Sequence, residues 1–396
     1  MIMEKKVKIK NLCSKGVEEI IDEKHLIAAL NSNKKLRIKY GIDPTGEQIH
    51  IGRAISLWKL KEFQDLGHKI VLIIGDFTAL IGDPSDKLHK RPFLTKEQIE
   101  KNMKNYLPQI GKILDLKKVE VCYNSHWLEK LNFYEISRLA EIFSVSQILE
   151  RRNFRIRFQN KEEISLRELL YPLMQGYDSV AVKSDVEIGG SDQLFNLLAG
   201  RKIQEFFKQK PQDIMTVKML LGTNGEKMST SVGNVINITD SPDDQYGKVM
   251  SIKDDIVFDY LELATDISME ELEQLKSDFQ SKKIKIYDLK KLLAYKVVER
   301  YYGKKLALEA QNNFVKIFSQ KNLPIKAKPL VIAKNISALE LVIKSKIAKS
   351  NSEARRLIIQ GGLKVGDQPK TDPNEILNLE KGTIVKIGKF HFFEIQ

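Results

Sequence analysis

The chain has 396 residues, which at roughly 100–200 residues per domain suggests two or three domains. Charged residues make up 30% and the hydrophobic set 42%, a core-forming composition that excludes wholesale disorder. Lys plus Arg is 65 and Asp plus Glu is 52; the net +13 fits either a lysine-rich background or a polyanionic partner such as nucleic acid. Cys13 and Cys122 cannot build a disulfide framework or a Cys-based zinc site, so a reducing compartment is the simplest home. The first residues, Met1-Ile2-Met3-Glu4-Lys5-Lys6, lack the apolar run of a signal peptide. No stretch reaches the ~18–20 apolar residues of a membrane span. A cytoplasmic protein is expected.

Leu36–Ile42 reads as a strand ending at Asp43, and Asp43-Pro44-Thr45-Gly46 is turn chemistry. From Ile51 the pattern turns helical, with Ile51, Ile55 and Trp58 on one stripe, and Gly67 stops it. Ile70–Ile74 is an unbroken apolar run, a fully buried strand. Strand, helix and buried strand make a βαβ unit and predict an α/β fold with a parallel sheet. Further strands are expected at Lys118–Tyr123, Asp185–Ile188 and Ile214–Leu220. Helices are expected over most of Leu128–Leu149, Leu166–Val180, Gln193–Lys208 and Asp243–Phe318. Lys321–Pro329 is rich in Lys and Pro and reads as a linker. Asn335–Gln396 reads as a separate α+β module.

In an open parallel sheet, ligands bind beyond the carboxyl ends of the strands. No G-x-G-x-x-G and no G-x-x-x-x-G-K-[ST] occurs there, which counts against dinucleotide oxidoreductases and P-loop NTPases. The first junction instead carries His50, Gly52 and Arg53 at a helix start, where free N–H groups and the macrodipole attract anions. Alone, this reads more simply as an ordinary cap with a stray histidine. Gly225-Glu226-Lys227-Met228-Ser229-Thr230-Ser231 is a loop able to bring a cation to a phosphate, or a plain solvated loop. Tyr171, Gln175 and Asp178 fall at i, i+4 and i+7, on one helix face. Gly189–Gln193 is a Gly-rich strand-to-helix turn that adds Asp192 and Gln193, and Asp83 follows a strand. Between Val342 and Lys364, six basic residues (Lys344, Lys346, Lys349, Arg355, Arg356 and Lys364) face Glu353 alone. That local +5 suits phosphates in a salt-sensitive way.

Together these residues resemble a class I aminoacyl-tRNA synthetase. His50-Ile51-Gly52-Arg53 is similar to the HIGH motif and Lys227–Ser231 to KMSKS. Each is short, and their order and separation make the pair specific. Tyr171-Pro172-Leu173-Met174-Gln175-Gly176-Tyr177-Asp178, Asp185–Gln193 and Leu66–Pro84 narrow the resemblance to the bacterial tyrosyl-tRNA synthetases. It covers about Leu36–Ser251 and resumes at Ser350–Val365, which looks like the RNA-binding module of a small-subunit ribosomal protein.

The resemblance implies a Rossmann-like doubly wound parallel sheet over 1–238, with an inserted helical dimerisation segment near 125–180. An α-helical anticodon-region domain over 239–322, a linker over 323–334 and a small α+β RNA-binding domain over 335–396 would follow. It implies tyrosyl-adenylate formation from L-tyrosine and ATP, then transfer to the 3′ end of tRNA(Tyr), in a homodimer. The substrate carboxylate attacks the α-phosphate, so the protein positions groups and stabilises charge. His50, Arg53, Thr45 and Lys227 would serve the phosphates. Asp43, Gly52, Asp192, Ser229 and Thr230 would complete the ATP site, with Mg²⁺ arriving on ATP and no fixed metal site. Asp178 would accept the phenolic O–H. Asp83, Tyr171 and Gln175 would hold the ammonium, and Gln193 the carboxylate. Lys344, Lys349, Arg355, Arg356 and Lys364 would bind tRNA. No editing domain is evident. The family is the standing example of rejecting phenylalanine without one, because the analogue leaves buried polar groups unpaired.

Three residues depart from the family pattern. Arg53 replaces the last histidine of HIGH, and a guanidinium is bulkier and always charged. Thr230 replaces the second lysine of KMSKS. Lys39 stands four residues before Asp43, where many relatives place a phenol-binding tyrosine; strand alternation should point Tyr40 to the opposite face. A pantothenate-synthetase-like enzyme would not explain the basic tail or the Tyr171/Gln175/Asp178 stripe, and Asp178 disfavours a tryptophanyl enzyme. A non-catalytic RNA-binding paralogue, supported only by Arg53 and Thr230, is the alternative from another class.

Overall fold

The computed structural model describes residues 2–85, 94–229, 232–318, 327–332, 335–348, 350–366, 368–388 and 391–396. They group into two compact units, 1–240 with 252–293 and 241–251 with 294–396, so the helices of 239–322 are shared between the units.

The first unit is built on six strands, β1 (Val17–Ile21), β2 (Arg37–Ile42), β3 (Lys69–Ile74), β4 (Val119–Tyr123), β5 (Val186–Gly190) and β6 (Asp213–Val217). Their order in the sheet is β1-β6-β5-β2-β3-β4, all parallel except the edge strand β1. The central strands are continuous apolar runs because both faces are covered. Ile38, Ile70, Val71, Leu72, Ile73 and Ile214 are buried. The helix Ile51–Asp65 covers one face and the helix Leu166–Val182 the other. Consecutive residues of β2 register this: Lys39 meets Gln175 and Ser179, whereas Tyr40 turns toward Arg53 and Ser56, as alternation requires.

The expected helical stretch Leu128–Leu149 holds two short helices, Phe133–Ala140 and Val145–Leu149, and a third, Ser125–Leu128, ends where it begins. Capping boxes at Asn132/Glu135 and Ser144/Gln147 restart the chain twice. The long tract from Asp243 is likewise broken, into the helices Pro242–Met250, Val257–Ala264 and Met269–Gln280 and a last stretch, Ile286–Phe318, that is two helices joined at Gly303, whose φ of 81° is not helical. The helix Ile2–Ser14, β1 and the helix Glu23–Asn31 were not expected from the sequence.

The second unit ends in a module with a core of Ile336, Leu341, Val342, Ile358, Leu363, Val385, Ile387, Phe393 and Ile395. Its strands are β7 (Lys328–Leu330), β8 (Asn335–Ser337), β9 (Leu363–Val365), β10 (Gln368–Lys370), β11 (Ile376–Asn378), β12 (Ile384–Ile387) and β13 (His391–Ile395). Five form one sheet, ordered β10-β9-β12-β13-β7, and β11 pairs with β8. The helices Ala338–Lys344 and Asn351–Ile359 pack together within it. Part of the stretch read as linker is therefore a strand, because β7 pairs in parallel with β13. The outer strands β7 and β10 each have a proline at the centre, Pro329 and Pro369. Proline is tolerated at such edges because no inner ladder needs its missing N–H.

Candidate active site

A cavity of about 400 Å³ opens at the carboxyl ends of β2, β3 and β5. That is the size of a small-molecule site, at the place an open α/β sheet provides one. It is lined by Asp43, Thr45, His50, Gly52, Arg53, Asp83, Tyr171, Gln175, Asp178, Asp192, Gln193 and Lys227. Residues up to 184 positions apart in sequence thus meet in one place.

His50 is the N-cap of the helix Ile51–Asp65, and its Nδ1 accepts from the Arg53 backbone N–H at 3.3 Å. Burial, with Arg53 and Lys227 nearby, pushes its pKa down to about 3. The ring is therefore neutral at pH 7. With Nδ1 used as acceptor, Nε2 carries the proton and is a donor. Arg53 donates to the Tyr106 hydroxyl (2.9 Å) and to Thr45 Oγ1 (2.8 Å), so the residue that departs from HIGH is held on both arms. A Cβ on Gly52 would lie 3.0 Å from Met228 Sδ and 3.1 Å from His50 Nδ1. Glycine keeps that wall low.

Asp43 accepts from Thr78 Oγ1 (2.8 Å) and from the Tyr171 hydroxyl (2.9 Å). Burial raises its pKa to about 6. Gly75 is obligatory here, since a Cβ would fall 2.0 Å from Asp43 Oδ1. Asp178 is buried and accepts from Trp127 Nε1 (2.8 Å) and Asn124 Nδ2 (3.3 Å). Burial raises its pKa to about 7, against the opposing pull of Lys39. Asp83 accepts from Gln193 Nε2 (2.7 Å) and Ser85 Oγ (2.6 Å). Ser85 in turn accepts from Arg151 (2.7 Å) and Asn196 (3.0 Å).

Lys227 is half-exposed and pairs with Asp192 at 3.2 Å. Ser229 is outside the cavity lining, and its backbone N–H donates to Asn234 Oδ1 at 2.8 Å, which ties down the loop. Thr230 and Lys349 lie outside the described residues. Lys344, Arg355, Arg356 and Lys364 are exposed on the C-terminal module. Lys364 stands opposite Lys386 across β9 and β12, a neighbour that sequence reading missed. Thr78, Asn124, Trp127, Ser85 and Glu187 were missed too. Thr78, Asn124, Trp127 and Glu187 hold residues distant in sequence, and Ser85 ties its neighbour Asp83 to the distant Arg151 and Asn196.

The model of a family described as class I tRNA synthetases (W and Y) matches residues 31–319. A tyrosine–tRNA ligase of Thermotoga maritima is 42% identical over 397 residues, covering 100% of this chain and 98% of that one. A tyrosine–tRNA ligase of Aquifex aeolicus is also 42% identical, covering 97% of each chain. Among solved structures, the tyrosyl-tRNA synthetase of Archaeoglobus fulgidus complexed with L-tyrosine matches with a TM-score of 0.63 at 21% identity, covering 78% of this chain and 100% of that one. A C-terminally truncated mitochondrial tyrosyl-tRNA synthetase of Aspergillus nidulans matches with a TM-score of 0.64 at 21% identity, covering 80% and 97%. At that identity the structures speak for the fold.

Proposed function

Because this chain belongs to the tyrosine–tRNA ligases of the class I tRNA synthetase family, we propose that its cavity joins L-tyrosine to ATP and passes the tyrosyl group to tRNA(Tyr). The observation that carries this reading is the convergence of the HIGH-like, KMSKS-like and Tyr171/Gln175/Asp178 residues on one cavity. Tyrosine enters with its phenol at Asp178, its ammonium among Asp83, Tyr171 and Gln175, and its carboxylate at Gln193. The carboxylate oxygen attacks the α-phosphate of ATP and the bond to pyrophosphate breaks. His50 Nε2–H, Arg53 and Thr45 on one side and Lys227 on the other meet the charge that builds on the leaving group. Asp43 and Asp192 serve the nucleotide, as do Ser229 and Thr230, and Gly52 leaves room for adenine. Mg²⁺ comes in on the phosphates, whose hard oxygens suit it.

Three further readings go with it. The helices of 125–180 expose Phe133 (86%), Tyr134, Val145, Phe158 and Leu166 (79%), an apolar face whose occupant is a second copy of the chain. Residues 239–322 serve the anticodon region. The exposed Lys344, Arg355, Arg356 and Lys364, with Lys349, grip tRNA phosphates. Translation in the cytoplasm is the setting, and no helix among the described residues is long and apolar enough to cross a membrane.

Tyrosine-dependent exchange between ATP and pyrophosphate tests the core of this. Exchange with tyrosine and not with phenylalanine or tryptophan is expected. Folded protein that binds tRNA and shows no exchange would establish the RNA-binding paralogue instead.

A further inference from the structure

Beneath the amino-acid end of the cavity lies a fully buried ion pair. Lys39 on β2 and Glu187 on β5 are direct partners in the parallel ladder, so both side chains leave the sheet under the helix Leu166–Val182. Their side chains are 0% and 1% exposed and 2.8 Å apart. The Lys39 ammonium also donates to Ser179 Oγ (2.8 Å) and to the Gln175 carbonyl (2.9 Å). An ammonium has three protons, and all three are used. Ser179 passes its own hydrogen to Glu187 Oε2 (3.2 Å), which also accepts from Gln212 Nε2. Lys39 itself does not line the cavity, whereas Gln175, Asp178 and Glu187 do.

A buried ion pair is weak support for stability, since apolar side chains of similar volume often serve as well or better. The value of this one is where it points. Gln175 and Ser179 bracket Asp178 on a single helical turn, and the ammonium grips both. Its charge also favours the carboxylate form of Asp178, which burial opposes. We infer that Lys39 is a positioning residue for the amino-acid side chain, which fixes the turn bearing Gln175 and Asp178 and keeps Asp178 an acceptor for a phenolic hydroxyl. Glu187 holds the ammonium down, so that it supports the acceptor from below and offers no rival donor to the ligand. The inference rests on the role proposed for Asp178, and it gives Lys39 work in the position where a direct phenol contact would otherwise stand.

The test is the ratio of kcat/KM for tyrosine to that for phenylalanine in pyrophosphate exchange. Lys39→Met alone strands a buried carboxylate and risks unfolding, so Lys39→Met is combined with Glu187→Gln. The double variant should melt cooperatively and keep its KM for ATP. Its KM for tyrosine should rise, and the tyrosine-to-phenylalanine ratio should fall about tenfold or more, because the lost acceptor matters only to the substrate that has a hydroxyl. Ser179→Ala keeps both charges and removes two hydrogen bonds, one from Lys39 and one to Glu187; it should lower the ratio by roughly a third of a decade or more, and it decides the matter if the double variant does not fold. An unchanged ratio in the folded double variant, or in Ser179→Ala if the double variant does not fold, overturns the inference and leaves the pair a structural one. Absence of tyrosine-dependent exchange in the unaltered protein would instead overturn the proposed function.

Discussion

The cavity and the C-terminal module use charge in opposite ways. In the cavity, Asp178 is buried and Asp43 and His50 are partly so, their pKa values moved by burial to about 7, 6 and 3, and each is held by named partners. In the module, Lys344, Arg355, Arg356 and Lys364 stand exposed. A phenol on one small substrate and a triphosphate on the other are met by fixed groups whose orientation is settled in advance. A polyanion many charges long can be met by solvated ones, whose strength lies in counterion release and number. The first arrangement is sensitive to a single atom, the second to ionic strength.

The sharpest way to break this contrast is at His50. His50→Asn keeps a good helix cap but loses the Nε2–H donor. Exchange kcat should fall ~10²–10³-fold at an unchanged melting temperature, and the loss should be the same at low and high salt. Stopped activity with an early melt would make the cap, not the donor, the main role. Next in size is the tail. Arg355→Gln with Arg356→Gln should weaken tRNA binding and flatten the salt dependence by about 1.4–1.8 in slope while leaving pyrophosphate exchange intact. A salt slope equal to that of the unaltered chain would remove these two arginines from the interface.

Gly52→Ala should raise the KM for ATP several-fold, since the new methyl meets Met228 and His50 at about 3 Å while the tyrosine side is untouched. The smallest effect concerns stability. A carboxyl whose pKa is higher folded than unfolded binds protons more tightly in the folded state. Its presence therefore costs stability as pH rises from about 4 to about 6, and the full cost remains above that. Asp43→Asn should then stabilise the ligand-free protein at pH 8, by about 1–2 kcal/mol once its partial exposure is allowed for, and less at pH 5. Urea melts at the two pH values check the sign.

Much of the fold was readable where one local rule dominated. Ile70–Ile74 could only be a doubly covered strand, and Lys39 and Tyr40 did part to opposite faces of the sheet. The two helices within Leu128–Leu149 were legible in principle, as Asn132-x-x-Glu135 and Ser144-x-x-Gln147 are cap signals that split the stretch. β1 was missed because Val17-Glu18-Glu19-Ile20-Ile21 has no period, and its place depends on pairing with β6 almost 200 residues away. The same limit applies to the site. Asn124 and Trp127, which hold Asp178, lie in no motif, and Thr78 and Glu187 lie inside signature segments with nothing local to single them out as supports.

One further consequence follows from the two prolines at the rims of the C-terminal sheet. An open five-stranded sheet invites a stray strand to dock on either border, and from there chains can stack without limit. Here each border strand has at its midpoint a residue with nothing to donate, flanked by lysine in both Lys328-Pro329-Leu330 and Gln368-Pro369-Lys370. A ladder begun at either rim would stall at its second rung and meet positive charge beside the gap. Strand addition at either rim is thus disfavoured by the sequence of the rim strands themselves.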